Sequence, residues 1–180
     1  MPRTLVTIIA VAAVVAAVVL AVGWAVRMPT DDHVRARFSS HQDAFVQLRD
    51  LMLGDRSSAV QLEPDGPRAH VAGGEWVRLN NAAAADLSKV GWDAGRAERY
   101  LRLMRGAGVK RVDKGWSTPD RTVAFTVYSA GTVAESMTKQ IVWSPSHPSP
   151  LAEADDQPLP DNSEVYRPIS ENWYVRTAHD

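Results

Sequence analysis

The 180-residue chain carries 20 Lys and Arg against 21 Asp and Glu, a formal net charge of −1, and contains no cysteine. This balance excludes a general nucleic-acid binder, which is basic overall or strongly striped. The absent cysteine excludes a lipid-modified N-terminal cysteine and leaves the compartment open.

Leu5 to Val26, LVTIIAVAAVVAAVVLAVGWAV, holds no charged residue. As a helix, its first eighteen residues cover about 27 Å and the whole run about 33 Å, matching a hydrocarbon core of roughly 30 Å. Eleven of those eighteen are Val, Leu or Ile, together worth roughly −3 to −6 kcal/mol near the bilayer centre. A strand in lipid would leave its backbone groups unpaired, so residues 1–27 read as an N-terminal transmembrane helix. The competing reading is a signal peptide cut before Trp24, but the run exceeds the usual apolar core of roughly 7–15 residues. A short tail before one early span is the signal-anchor layout, which places the C-terminal domain outside the cytoplasm. Arg27, Arg35 and Arg37 against Arg3 bias the count the other way.

Residues 28–180 have the length of one domain. Setting Arg3 and Arg27 aside leaves 18 basic residues against 21 acidic, a charge of about −3. Val34, Phe38, His41, Phe45, Leu48 and Met52 step by three or four, which predicts a helix from Asp31 to Leu53. Thr30 or Asp31 caps its start and Gly54 ends it. Ser58–Glu63 and Arg68–Ala72 flank PDGP and read as paired short strands; Glu75–Leu79 reads as a third. DAGRAERYLRLMRGAG is a second helix, capped by Asp93 and ended by Gly106 and Gly108. Strands follow at Val109–Lys114, Arg121–Ser129, Met137–Trp143 and Trp173–Thr177. Within Arg121–Ser129, Val123, Phe125 and Val127 share one face and Thr122, Ala124, Thr126 and Tyr128 the other. Five prolines make residues 144–162 a proline-rich loop. The expected architecture is α+β: the anchor, then a single domain with two main helices packed on an antiparallel sheet. Trp116, Phe125, Trp143 and Trp173 are expected to furnish much of its core.

Candidate chemistry is sparse. SMTK, Ser136 to Lys139, has the S-x-x-K spacing of penicillin-recognising serine enzymes, which requires a helix start. Here it enters a predicted strand, where residues three apart face opposite sides, and the S-D-N and K-T-G companions are absent. No two of the five histidines stand at metal-ligand spacing, and EADDQPLPD lacks the pattern of a calcium loop, so neither metal nor cofactor is expected. No phosphate-binding or dinucleotide fingerprint occurs. Arg96, Arg99, Arg102 and Arg105 fan across the second helix. A solvated face explains them; contact with anionic lipid is the functional alternative.

Taken together, FSSHQDAFVQLRDLML, SMTKQIVWS and ENWYVR resemble a group of small bacterial proteins with an N-terminal membrane segment or lipid anchor and no assigned activity. The likeness covers most of residues 35–177. It implies an anchored α+β domain ending in a Trp-Tyr strand and carries over no catalytic residue. The expected function is a single-pass membrane-anchored envelope protein, inserted in the bilayer through Leu5–Val26. Its domain is read as non-catalytic, binding or scaffolding a protein partner and not nucleic acid. The alternatives are an envelope hydrolase with a pocket near Ser136 and Lys139, and a cleaved periplasmic or secreted domain.

Overall fold

The computed structural model describes residues 28–63, 66–71, 74–79, 84–114, 121–131, 136–152 and 159–179. The expected anchor Leu5–Val26, Trp116 and the acidic residues Glu153, Asp155 and Asp156 lie outside the described residues. In chain order the elements are α1 (Asp31–Ser40), α2 (Gln42–Gly54), β1 (Ser57–Gln61), β2 (Arg68–Val71), β3 (Trp76–Arg78), α3 (Ala84–Lys89) and α4 (Ala94–Ala107). They are followed by β4 (Arg111–Lys114), β5 (Val123–Gly131), β6 (Ser136–Trp143), β7 (Ser163–Ser170) and β8 (Trp173–His179). The strands form one eight-stranded sheet in the order β3-β2-β1-β4-β5-β6-β8-β7, and all neighbours pair antiparallel. Among the described residues no helix is long and apolar enough to cross a membrane.

The single helix expected from Asp31 to Leu53 is two. The Thr30 side chain accepts from the His33 amide and caps α1, and the chain breaks at His41, whose φ is −131°. The apolar stripe survives the break, because Phe38 and Phe45 still meet at 5.7 Å between ring centroids. Gly54 does not supply a left-handed end to α2. Instead Lys114 reaches back from β4 and donates to the carbonyls of Met52 at 2.9 Å and Asp55 at 2.5 Å. An ammonium there answers the negative end of the helix. For α4 the expected ends hold: Asp93 accepts from the Arg96 amide at 2.7 Å, and Gly108 takes φ 64°, a conformation suited to glycine.

Helices cover one face of the sheet. Phe45 packs edge-on against Phe125 at 5.4 Å, and Phe38 meets Trp173 at 4.8 Å; Val60, Val112, Ile141 and Val175 fill in around them. Trp143 is only partly buried beside this core. The other face carries a smaller apolar cluster of Ala124, Val142, Tyr166 and Tyr174. The proline-rich segment folds over it: Pro150 and Ala152 exchange backbone hydrogen bonds with Tyr166 at 3.0 and 2.9 Å, and His147 lies 2.6 Å from the Tyr174 hydroxyl.

Two elements went unforeseen. β7 contains Pro168 and is tolerated because it lies at the edge of the sheet, where a missing N–H breaks no second ladder. α3 is six residues long, too short to show a helical period.

Asp31 opens α1 and is fully buried, as are Lys139 and Arg167 to within 2%. Lys139 Nζ stands 2.5 Å from Asp31 Oδ1 and Arg167 Nε 2.9 Å from Oδ2. Removing one member of a buried ion group strands the others without compensation. Asp31→Ala is therefore expected to destabilise the domain by about 3–5 kcal/mol. Asp32→Ala, which removes an exposed ion pair with Arg35, is expected to cost under about 1 kcal/mol. Urea denaturation of the two variants checks this; equal losses would contradict it.

Candidate functional site

Part of the second sheet face is polar for a reason visible in the register. Arg68, Gln61, Arg111, Thr126, Gln140 and Arg176 are successive cross-strand partners, so one row of polar side chains runs across β2, β1, β4, β5, β6 and β8. Their chain neighbours Val60, Val112, Phe125, Ile141 and Val175 point into the helix-covered core, as the two-residue alternation of strands demands.

The row is wired. Arg176 Nε donates to Glu164 Oε2 at 2.6 Å and its Nη1 to Gln140 Oε1 at 2.7 Å; Gln140 Nε2 then donates to Thr126 Oγ1 at 3.0 Å. Beside this chain Arg111 Nε donates to Asp113 Oδ1 at 2.7 Å. Trp76 forms a wall, with the Arg68 and Arg111 guanidinium carbons 5.3 and 5.9 Å from its ring centroid. Trp76, Arg111, Asp113, Thr126, Gln140 and Arg176, with Lys110, Ser129 and Thr138, line a groove of about 690 Å³. That is the size of a small-molecule site. Three of the lining side chains are cationic against one carboxylate, Asp113. The rest of the polar lining is amide and hydroxyl.

A bulge decides one wall. The β5–β6 register shifts between Thr126 and Tyr128, so Tyr128 stands opposite Lys139 and Ser129 opposite Thr138. Strict alternation places Tyr128 with Thr126; the extra residue instead brings Ser129 to the groove.

The residues singled out from sequence are dispersed. Ser136 and Lys139 are on β6, and Lys139 turns to the helix side to meet Asp31; neither lines the groove. Arg96 is held by Asp55 through both Nε at 3.1 Å and Nη2 at 2.5 Å, and Tyr100 donates to the same carboxylate at 2.7 Å. Burial and that carboxylate push the Tyr100 hydroxyl far above its ordinary range. Arg99 donates to Gln47 at 3.0 Å, while Arg102 and Arg105 are exposed. The four arginines therefore do not form one open basic face. Among the described residues no three His, Asp or Glu side chains are placed to hold a metal ion.

The sequence reading missed Ser58 and His70, whose Oγ and Nδ1 stand 2.8 Å apart. They are twelve residues apart in the chain and meet because the β1–β2 hairpin folds them together at a bulge. His70 also lies edge-on to Trp76 at 5.0 Å. A hydroxyl against an imidazole is one half of a nucleophile–base arrangement. Only knowledge of the hairpin register would have shown it.

Burial pushes the Asp113 carboxyl above its ordinary value of 3.8, against the pull of Arg111. The folded state thus binds this proton more tightly than the unfolded chain does. Its contribution is most favourable below that ordinary value and falls as the pH rises through the raised folded value. Asp113→Asn removes the effect, so the variant's stability relative to the parent is expected to improve from about pH 3 to about pH 7. Urea midpoints at the two pH values measure it, and a pH-independent difference would contradict the burial argument. The chain matches no protein-family model, no curated protein and no solved structure.

Proposed function

We propose that this chain is a single-pass membrane protein of the bacterial envelope, anchored through Leu5–Val26, whose domain binds a ligand without transforming it. The domain stands on the extracytoplasmic side, a cleaved periplasmic form being the competing arrangement. The observation that carries the binding reading is the wired polar groove. Its hydrogen-bonding groups are pre-positioned by Arg176, Gln140 and Thr126, and with Arg111 and Arg176 paired to Asp113 and Glu164, Lys110 gives its lining one surplus positive charge. Fixed guanidinium and amide groups of this kind suit a small polar ligand carrying a carboxylate or phosphate, presented freely or on a partner protein.

Two measurements test the reading. After carbonate extraction, the full chain is expected in the membrane pellet and a chain lacking residues 1–27 in the supernatant; full-length protein in the supernatant would refute the anchor. In saturation-transfer NMR with matched neutral and phosphorylated sugars, the phosphorylated members are expected to give the stronger signals. Lys110→Gln combined with Gln140→Leu is expected to abolish them. Equal signals from neutral sugars would refute the anionic preference.

Ser58 and His70 favour a second reading, an envelope hydrolase using this pair in place of Ser136 and Lys139. On that reading the domain cleaves p-nitrophenyl acetate above background and Ser58→Ala loses at least about a hundredfold of that rate. An unchanged rate in Ser58→Ala removes it.

A further inference from the structure

A second concavity lies on the helical side. α1 and the C-terminal end of α4 border an open cleft of about 380 Å³, with His33, Arg37, Ser40 and His41 on one side and Arg105 to Gly108 on the other. Its lining holds two arginines, two histidines and no carboxylate, on a domain whose overall charge is about −3. His33, Arg37 and His41 follow one another at four-residue steps and therefore stack on one stripe.

The arginine wall is built in advance. Arg37 Nη1 donates to the Gly108 carbonyl at 3.1 Å, which answers the negative end of α4 and fixes the guanidinium at the cleft. His41 Nδ1 stands 3.1 Å from the Arg37 carbonyl and donates to it. Arg105 comes from the facing helix and is exposed. Two arginines lining one space from different elements suit a phosphate better than a lone carboxylate, because a phosphate offers oxygens on several sides.

The position of the cleft names the source of that phosphate. His33 is seven residues beyond Val26, so the two are at most about 25 Å apart even in a fully extended chain. The cleft is thus confined to the neighbourhood of the headgroups that flank the apolar core. We propose that it binds the phosphate of an anionic phospholipid headgroup, giving the domain a second attachment to the bilayer. This rests on the anchored reading above, and it places the lipid contact on Arg37 and Arg105 instead of the Arg96–Arg105 helix face.

The test uses the full chain in non-ionic detergent micelles, titrated calorimetrically with dihexanoyl phosphatidylglycerol, dihexanoyl phosphatidylcholine and glycerol 3-phosphate. Phosphatidylglycerol is expected to saturate one site per chain. Arg105→Gln is expected to weaken it roughly fivefold, and Arg37→Gln with Arg105→Gln roughly twenty-fivefold. Arg102→Gln, outward on the same helix, leaves binding unchanged. Circular dichroism of Arg105→Gln, which removes an exposed side chain, verifies that the fold is retained. Equal affinity for phosphatidylcholine, or unchanged affinity in Arg105→Gln, overturns the site. Glycerol 3-phosphate binding as tightly as the lipid overturns the lipid source. If carbonate extraction releases the full chain while Arg105-dependent phosphatidylglycerol binding persists, the anchor alone has failed and the cleft stands.

Discussion

The fold is tied together where Asp31 meets Lys139 and Arg167. Three charges taken out of water carry a desolvation cost of several kcal/mol each, and only close, opposed geometry offsets it. Each carboxylate oxygen of Asp31 has its own cation, at 2.5 and 2.9 Å. The group joins the first residue of α1 to β6 and to the edge strand β7, so elements from the beginning, middle and end of the domain are locked in one register. The positive end of α1 also favours a carboxylate at its first turn. Sliding α1 by one residue would carry the Asp31 carboxylate away from both cations. The position of everything α1 carries follows from this constraint, including Phe38 in the core and Arg37 at the cleft.

The sheet separates two kinds of work. On the helix side, Phe45 packs edge-on against Phe125 and Trp173, which stack on each other, an aromatic arrangement that sets the spacing between layers. On the opposite side Pro150, Ala152 and His147 reach the cluster around Tyr166 and Tyr174. The polar row lines the groove on the same face. The polar groups exposed there are bonded to one another, which holds them in fixed directions without covering them. A floor of this kind is rigid before any ligand arrives, and so loses little conformational freedom on binding.

The arginines illustrate how tertiary structure sorts residues that look alike in the sequence. Arg167 is consumed by the buried ion group, Arg96 by Asp55 and its neighbour Tyr100, and Arg111 and Arg176 by Asp113 and Glu164 at the groove. Arg102 is exposed, while Arg105 lines the cleft beside α1. A helix wheel presents Arg96, Arg99, Arg102 and Arg105 as one face. Only the packing of α4 on α2 shows that the first is already occupied by the end of that neighbouring helix.

Local chemistry in the sequence determined most of the elements. Thr30 and Asp93 announce helix starts because their side chains satisfy the first free amides; Gly108 announces an end because it tolerates a left-handed backbone. The alternation of Val123, Phe125 and Val127 fixed the core face of β5 because strands repeat every two residues. Tertiary structure alone decided the rest. The break at His41, the Lys114 cap and the bulge beside Val127 arise from contacts between distant segments that leave no local period. β7 was hidden because its proline is acceptable only at an edge, and being an edge is a property of the assembled sheet. The groove, the cleft and the Ser58–His70 pair are likewise products of register: their residues are ordinary in sequence and acquire meaning only when strands and helices set them side by side.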